Sequence, residues 1–155
     1  MSNSSPTPII ELQGTAMPEY ERKEIHSMKL NLDCMRSILL KAEQQPFGQE
    51  LLFTDLTLKL SKYSEDELAY TCIKLKEAGF ITAVIIQADN FSAVQFIDDI
   101  TYEGHQFLAN IRSDTIWNDI KEVSKKVGSN SLQAISQIAT AVITAIINNQ
   151  LGFTP

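Results

Sequence analysis

A chain of 155 residues with 44% hydrophobic and 21% charged side chains has the material of one ordinary globular domain, which excludes a disordered or fibrous protein. Its formal net charge of −6 makes the molecule as a whole repel polyanions, so a nucleic-acid role would need strong local segregation of charge. Two cysteines, Cys34 and Cys72, each among apolar neighbours, exclude a disulfide framework and fit a reducing, cytoplasmic setting.

Residues 1–27 mix Ser, Pro, Gly and both charges without a sustained period and read as a flexible leader. The start MSNSSPTPII lacks the basic region and long apolar run of a signal peptide. Met28 opens the first ordered stretch. Asp33 is placed to cap a helix reaching Gln45, with Met35, Ile38, Leu39 and Ala42 at helical spacing and Pro46 as the stop. Leu56, Leu58 and Leu60 alternate with Thr57 and Lys59, the period of a half-buried strand. Ser64 then caps a helix whose first turn holds Glu65, Asp66 and Glu67, where carboxylates suit the helix dipole. Leu68, Cys72 and Leu75 form its inner stripe, and Gly79 stands where a left-handed C-cap is needed.

The runs FITAVIIQA and FSAVQFI around Asp89-Asn90 predict a β-hairpin. Thr101 caps the next helix, TYEGHQFLANIR, with Tyr102, Leu108 and Ile111 inward. A further helix over about 115–127 puts Ile116, Ile120, Val123 and Val127 on one stripe with Trp117 beside it. Lys121, Lys125 and Lys126 suit its negative pole, and Gly128 closes it. Asn130 and Gln133 have capping-box spacing for a last helix over about 131–148. The fold class expected is α+β, mainly α: a winged-helix-like domain over 28–113 with a small hairpin wing, then two extra C-terminal helices over 114–155. Only one helix fits between the strand at Leu56–Leu60 and the hairpin, which abbreviates the usual two-helix DNA reader.

The stretches MKLNLDCMRSIL, YSEDELAYTCIKLKEAGFI and ITYEGHQFLANIR resemble a family of uncharacterised proteins from bacteria and their phages, catalogued as a domain of unknown function. The resemblance covers Met28 to Gly128, with a weaker echo in SLQAI. KLKEAGFI and TYEGHQFL also look like the end of the recognition helix and the post-wing helix of winged-helix regulators, and so speak for a fold before an activity. Where relatives tend to carry a histidine after the tyrosine of the central helix, this chain has Thr71 after Tyr70. The resemblance implies a phage or prophage setting.

The sequence has no GxGxxG after a strand, no phosphate loop ending in GK[ST] and no HExxH, and no cofactor is expected. His26 falls in the leader and His105 on a helix surface, without the converging ligands a metal needs. Asp98-Asp99 reads as a solvated turn, and Cys34 and Cys72 as core. From Glu77 to Ile111 there are five acids and no Lys or Arg, so a wing there would meet phosphates without a cation. The central helix also begins with acids where base edges are usually met.

After Lys126 no charged side chain occurs. Leu132, Ile135, Ala139, Val142 and Ile146 follow a 3-4 spacing, widened by Ile138, Ile143 and Ile147. Two homes suit this helix: packing back on the Trp117 helix, or a homodimer of paired C-terminal helices. Membrane insertion is rejected because the Gln/Thr strip would face lipid. The function expected is a non-enzymatic protein-interaction module acting on an unidentified protein partner or on itself. The alternative is a winged-helix DNA-binding regulator, disfavoured by charge. The candidate partner face is Tyr70, Thr71 and Lys74 with the wing tip at Asn90 and Phe91, although Phe91 suits the core equally well.

Overall fold

A computed structural model describes residues 27–152, so His26 and nearly all of the expected leader lie outside the described residues. The α+β, mainly α class is observed as six helices and one three-stranded antiparallel sheet among the described residues. Helix α1 (Leu32–Glu43) is capped by Asn31, whose side-chain oxygen accepts the Cys34 N–H at 3.1 Å. Asp33 is not the cap. It lies one residue inside the first turn, while Asn31 has the extended backbone that lets a side chain reach the orphan amides. Cys34, Met35, Ile38 and Leu39 of α1 are buried at the centre of the core.

The strand expected at Leu56–Leu60 is a helix. A short strand β1 (Leu51–Leu52) leads directly into α2 (Phe53–Lys59). Leu56, Leu58 and Leu60 alternate, but Leu56 and Leu60 are also four apart, and four-residue spacing brings both into the core while Leu58 faces water. Helix α3 (Glu65–Glu77) follows, capped as expected by Ser64, whose hydroxyl accepts the Glu67 N–H at 3.1 Å. Leu68, Cys72 and Leu75 are its buried stripe, and Gly79 takes φ 80° just beyond its end. Two helices, not one, therefore separate β1 from the hairpin.

The hairpin is β2 (Ile81–Ala88) and β3 (Phe91–Ile100), and the sheet order is β1-β3-β2. Thr82 pairs with Asp99 but Ala83 with Ile97, and Val84 pairs with Phe96 but Ile85 with Val94. Each shift leaves one extra residue in β3, Asp98 and then Gln95, as in a β-bulge. Asp98 and Asp99 thus lie inside a strand and not in a turn, and the bulge leaves both exposed. Because the extra residues are all in β3, β2 keeps a regular alternation, with Ile81 and Ala83 buried and Thr82, Val84 and Ile86 outward.

Helix α4 (Tyr102–Ile111) is capped by Thr101, whose hydroxyl accepts the Gly104 N–H at 3.0 Å. Gly104, Phe107, Leu108 and Ile111 face inward; Tyr102, expected inside, is exposed in the first turn. Helix α5 (Asp114–Val127) buries Trp117, Ile120 and Ser124 and ends at Gly128 with φ 80°. Val123 and Val127 are exposed, because the inner stripe runs through Trp117 and the small Ser124 instead. Helix α6 (Leu132–Gln150) is capped by Ser131, which accepts the Ala134 N–H at 3.1 Å. Asn130, expected to cap it, instead accepts the Ser124 hydroxyl proton at 3.1 Å. Helix α6 packs on α5 and α4, and Ile120, Ile135 and Ala139 belong to the same core as α1 and the sheet.

Candidate interaction surfaces

Several cations are committed to holding α1 against α4 and α5. Arg36 donates from Nε to the Ile111 carbonyl at 2.8 Å, and from its terminal nitrogen to the Arg112 carbonyl and to the Asp114 carboxylate at 2.8 Å. These are the last carbonyls of α4, where a cation also suits the helix dipole. Arg112 forms a two-pronged pair with Glu43, which holds the Glu43 carboxyl below its ordinary range. Asp33 accepts the Trp117 indole N–H at 2.8 Å and the Lys121 ammonium at 2.9 Å. Partial burial alone would raise the Asp33 carboxyl, but the hydrogen bonds from Trp117 and Lys121 and the charges of Lys121 and Lys62 leave it lowered. Trp117 in turn lies under Arg36 and Lys121, each 5.9 Å from a ring centroid.

The expected partner face on α3 is only partly a face. Thr71 is fully buried and donates its hydroxyl proton to the Glu67 carbonyl at 2.7 Å, a back-bond within its own helix. It therefore does not point outward. Tyr70 is half-buried and donates to the Met28 carbonyl at 2.9 Å, which fastens the entry segment to α3. Lys74 pairs with Glu77 at 3.0 Å and sits 5.4 Å from the Tyr70 ring. At the N-terminus of α3, Glu65 and Asp66 are exposed. The hairpin-tip residues Asn90 and Phe91 are both exposed, which places Phe91 outside the core.

The candidate oligomer helix divides into two halves. Ile135 and Ala139 are fully buried, Leu132, Ile138 and Val142 are half-buried, and this part of the 3-4 seam is occupied by the chain's own core. Beyond Val142 the support ends: Ile146, Ile147 and Leu151 are exposed. Among the described residues no helix is long and apolar enough to cross a membrane.

One surface escaped the sequence reading. The outward side of the sheet carries Leu52, Phe96 and Val84 in register across its three strands, with Ile86 paired to Ala93 next to them. Leu52, Val84 and Ile86 are exposed and Phe96 half-buried. The signal available in ITAVIIQA was the absence of a polar face: both alternating sets contain branched aliphatic residues.

Cys34 and Cys72 are buried, and burial pushes each thiol up to about 12, far from the thiolate a nucleophile needs. His105 is exposed on α4. Among the described residues no group of three or more His, Cys, Asp or Glu could hold a metal. A shallow hollow at the α1–β1 loop is lined by Phe47, Leu51, Ile97, Asp98 and Asp99, without a nucleophile–base pair.

The class defined so far is a small α+β, mainly helical protein. Residues 29–130 match the family described as hypothetical protein (DUF2513), and the chain belongs to that family. It is also similar to a protein of Haemophilus influenzae (strain ATCC 51907 / DSM 11121 / KW20 / Rd) described only as an uncharacterized protein. The two are 34% identical over 122 residues, which span 77% of this chain and 99% of the relative. No solved structure matches.

Proposed function

We propose that this chain is a non-enzymatic interaction protein of phage or prophage type, on a winged-helix scaffold, working through protein–protein contact. The scaffold reading is supported by the element order α1-β1-α2-α3-β2-β3, with two helices before the hairpin and a sheet in the order β1-β3-β2. One observation carries the choice of partner class. The end of α3, both wing strands and α4 fall within Glu77–Ile111, which holds five acids and no Lys or Arg. Counterion release from phosphates requires cations on the approaching surface. Arg36 is engaged with carbonyls and Asp114, and Lys74 with Glu77, so neither extends a positive groove from α3.

A second reading, a DNA-binding regulator, draws support from the α2–α3 pair, which supplies the two helices of a helix-turn-helix. Electrophoretic retardation of duplex DNA separates the two. At about 50 mM salt and micromolar protein the interaction reading expects no shift, and salt-sensitive retardation would favour the regulator.

A further inference from the structure

The sheet ends on β2. Among the described residues its strand partner is β3 alone, so alternate N–H and C=O groups along its other side meet no strand. Natural edges are usually defended by a charge, a proline, a bulge or a very short strand. β2 has none of these: ITAVIIQA is eight residues long, uncharged and proline-free, and both irregularities of the hairpin fall in β3. Beyond Thr82 its outward side chains at the middle of the strand are apolar as well, with Val84 44% and Ile86 52% exposed.

We propose that β2 is a dimerisation edge, to which a second copy of this chain adds its own β2 antiparallel about a two-fold axis at Ile85. The two three-stranded sheets become one continuous sheet. This proposal is one form of the interaction reading above, and it selects the chain itself as partner for three reasons.

The first is charge. Two chains of net charge −6 approach closely only across an uncharged strip, and residues 78–88 contain no charged side chain. The second is self-complementarity. In antiparallel pairing, directly opposed residues share a face, so centring on Ile85 sets Val84 of each protomer opposite the partner's Ile86. The apolar outer face, which already runs from Leu52 through Phe96 to Val84, then continues into the second copy. The third is the placement of the acids at the hairpin turn. Asp89 lies four residues from Ile85, so the two copies' Asp89 carboxylates fall at opposite ends of the ladder. At about 3.3 Å per residue they are roughly 26 Å apart, well beyond the ~8 Å Debye length of physiological salt. One strand pair and its side chains make a small interface beside the roughly 1,200 Å² of stable complexes, so the dimer is reversible.

Light scattering on the full chain between about 1 and 100 μM is expected to rise from the 17.3 kDa of one chain toward twice that mass. Ile86→Lys places a cation on an exposed position beside the edge, and is expected to weaken association at least about tenfold while leaving the circular dichroism unchanged. Val84→Lys should repeat the effect, whereas Ile147→Lys on the exposed end of α6 should leave the mass unchanged. A wild-type monomer at about 100 μM overturns the proposal. So does a dimer that survives both lysines, or one lost only with Ile147→Lys, which would move the contact to α6. Each of these leaves the interaction reading standing, since that reading fails instead on DNA retardation.

Discussion

The carbonyl oxygen of Phe80 occupies the space a side chain on Gly104 would need: a β-carbon at Gly104 would lie 2.1 Å from it and 2.7 Å from the Ile100 methyl. Around this approach the chain is tied several times. The Thr101 N–H donates to the Phe80 carbonyl at 3.0 Å, the Thr101 hydroxyl to the Gly79 carbonyl, and the Phe80 and Phe107 rings stack 4.9 Å apart. The motifs KLKEAGFI and TYEGHQFL are therefore the halves of one joint between the turn that follows α3 and the start of α4. Gly79, Phe80, Gly104 and Phe107 answer there to close packing.

Gly104→Ala is accordingly expected to destabilise the fold by about 2–3 kcal/mol, at the upper end of overpacking costs, because a backbone oxygen cannot move aside as a side-chain tip would. Urea denaturation measures this. A loss under about 0.5 kcal/mol, the range of a neutral surface change, would mean that the approach is looser than described.

Asp33 offers a contrast between two substitutions, since it accepts from both Trp117 and Lys121. Asp33→Asn keeps an acceptor for the buried indole and loses an exposed ion pair, so a change of no more than about 1 kcal/mol is expected. Asp33→Ala leaves the indole N–H without its partner and is expected to cost about 1–3 kcal/mol. The lone tryptophan makes fluorescence-detected unfolding a direct readout. Equal losses in the two variants would show that the indole bond contributes nothing.

The same carboxylates set the acid response. Asp33 and Glu43 are both held below their ordinary range in the folded chain. A depressed folded value means that the stabilisation is present above the unfolded value of about 4 and is lost as pH falls through the folded one. Stability should thus be flat through neutrality and decline below about pH 4, with a shallower decline in a variant carrying both Asp33→Asn and Glu43→Gln. Because both side chains are partly exposed, the difference should stay near or below about 1 kcal/mol. An unchanged acid limb in the double variant would refute the assignment.

Most helices were legible because their ends carry chemistry that needs no tertiary context. Ser64 and Thr101 cap as their types suggest, and Gly79 and Gly128 take the positive φ that ends a helix. Failures came where a local pattern satisfied two periods or where a neighbour in space decided. Leu56 and Leu60 fit a strand or a helix equally, and only the short β1 paired to β3 settles which. Tyr102 yields the inner face of α4 to Gly104 because Phe80 comes so close. Thr71 is buried against an expectation drawn from polarity, its hydroxyl satisfied inside the helix. The apolar outer face of the sheet was hidden for another reason: Leu52, Phe96 and Val84 are far apart in sequence and become neighbours only through strand register.

The two halves of α6 should respond differently to truncation. Ile135 is fully buried, and Ile135→Ala is expected to cost about 2–5 kcal/mol through lost transfer energy and a residual cavity. Ile147 is 49% exposed, and Ile147→Ala should cost less than about 1 kcal/mol. Chemical denaturation of both variants checks the pair. Similar losses would show that the end of α6 is covered in solution.

Arg36 tests whether a cation on α1 serves the fold or a phosphate. Its guanidinium reaches two carbonyls at the end of α4 and the Asp114 carboxylate together, a pattern that depends on a planar, multi-donor head. Lysine keeps the charge but cannot fill all three positions. Arg36→Lys is therefore expected to destabilise by about 1–2 kcal/mol, in the range of a charge-assisted hydrogen bond with a buried acceptor left short. A phosphate-binding arginine would behave oppositely, since lysine largely preserves a point-charge contact and stability would be untouched. Urea denaturation of Arg36→Lys, with duplex retardation at about 50 mM salt alongside, distinguishes them. Full stability together with salt-sensitive retardation that persists in Arg36→Lys would turn Arg36 into a ligand contact and reopen the regulator reading.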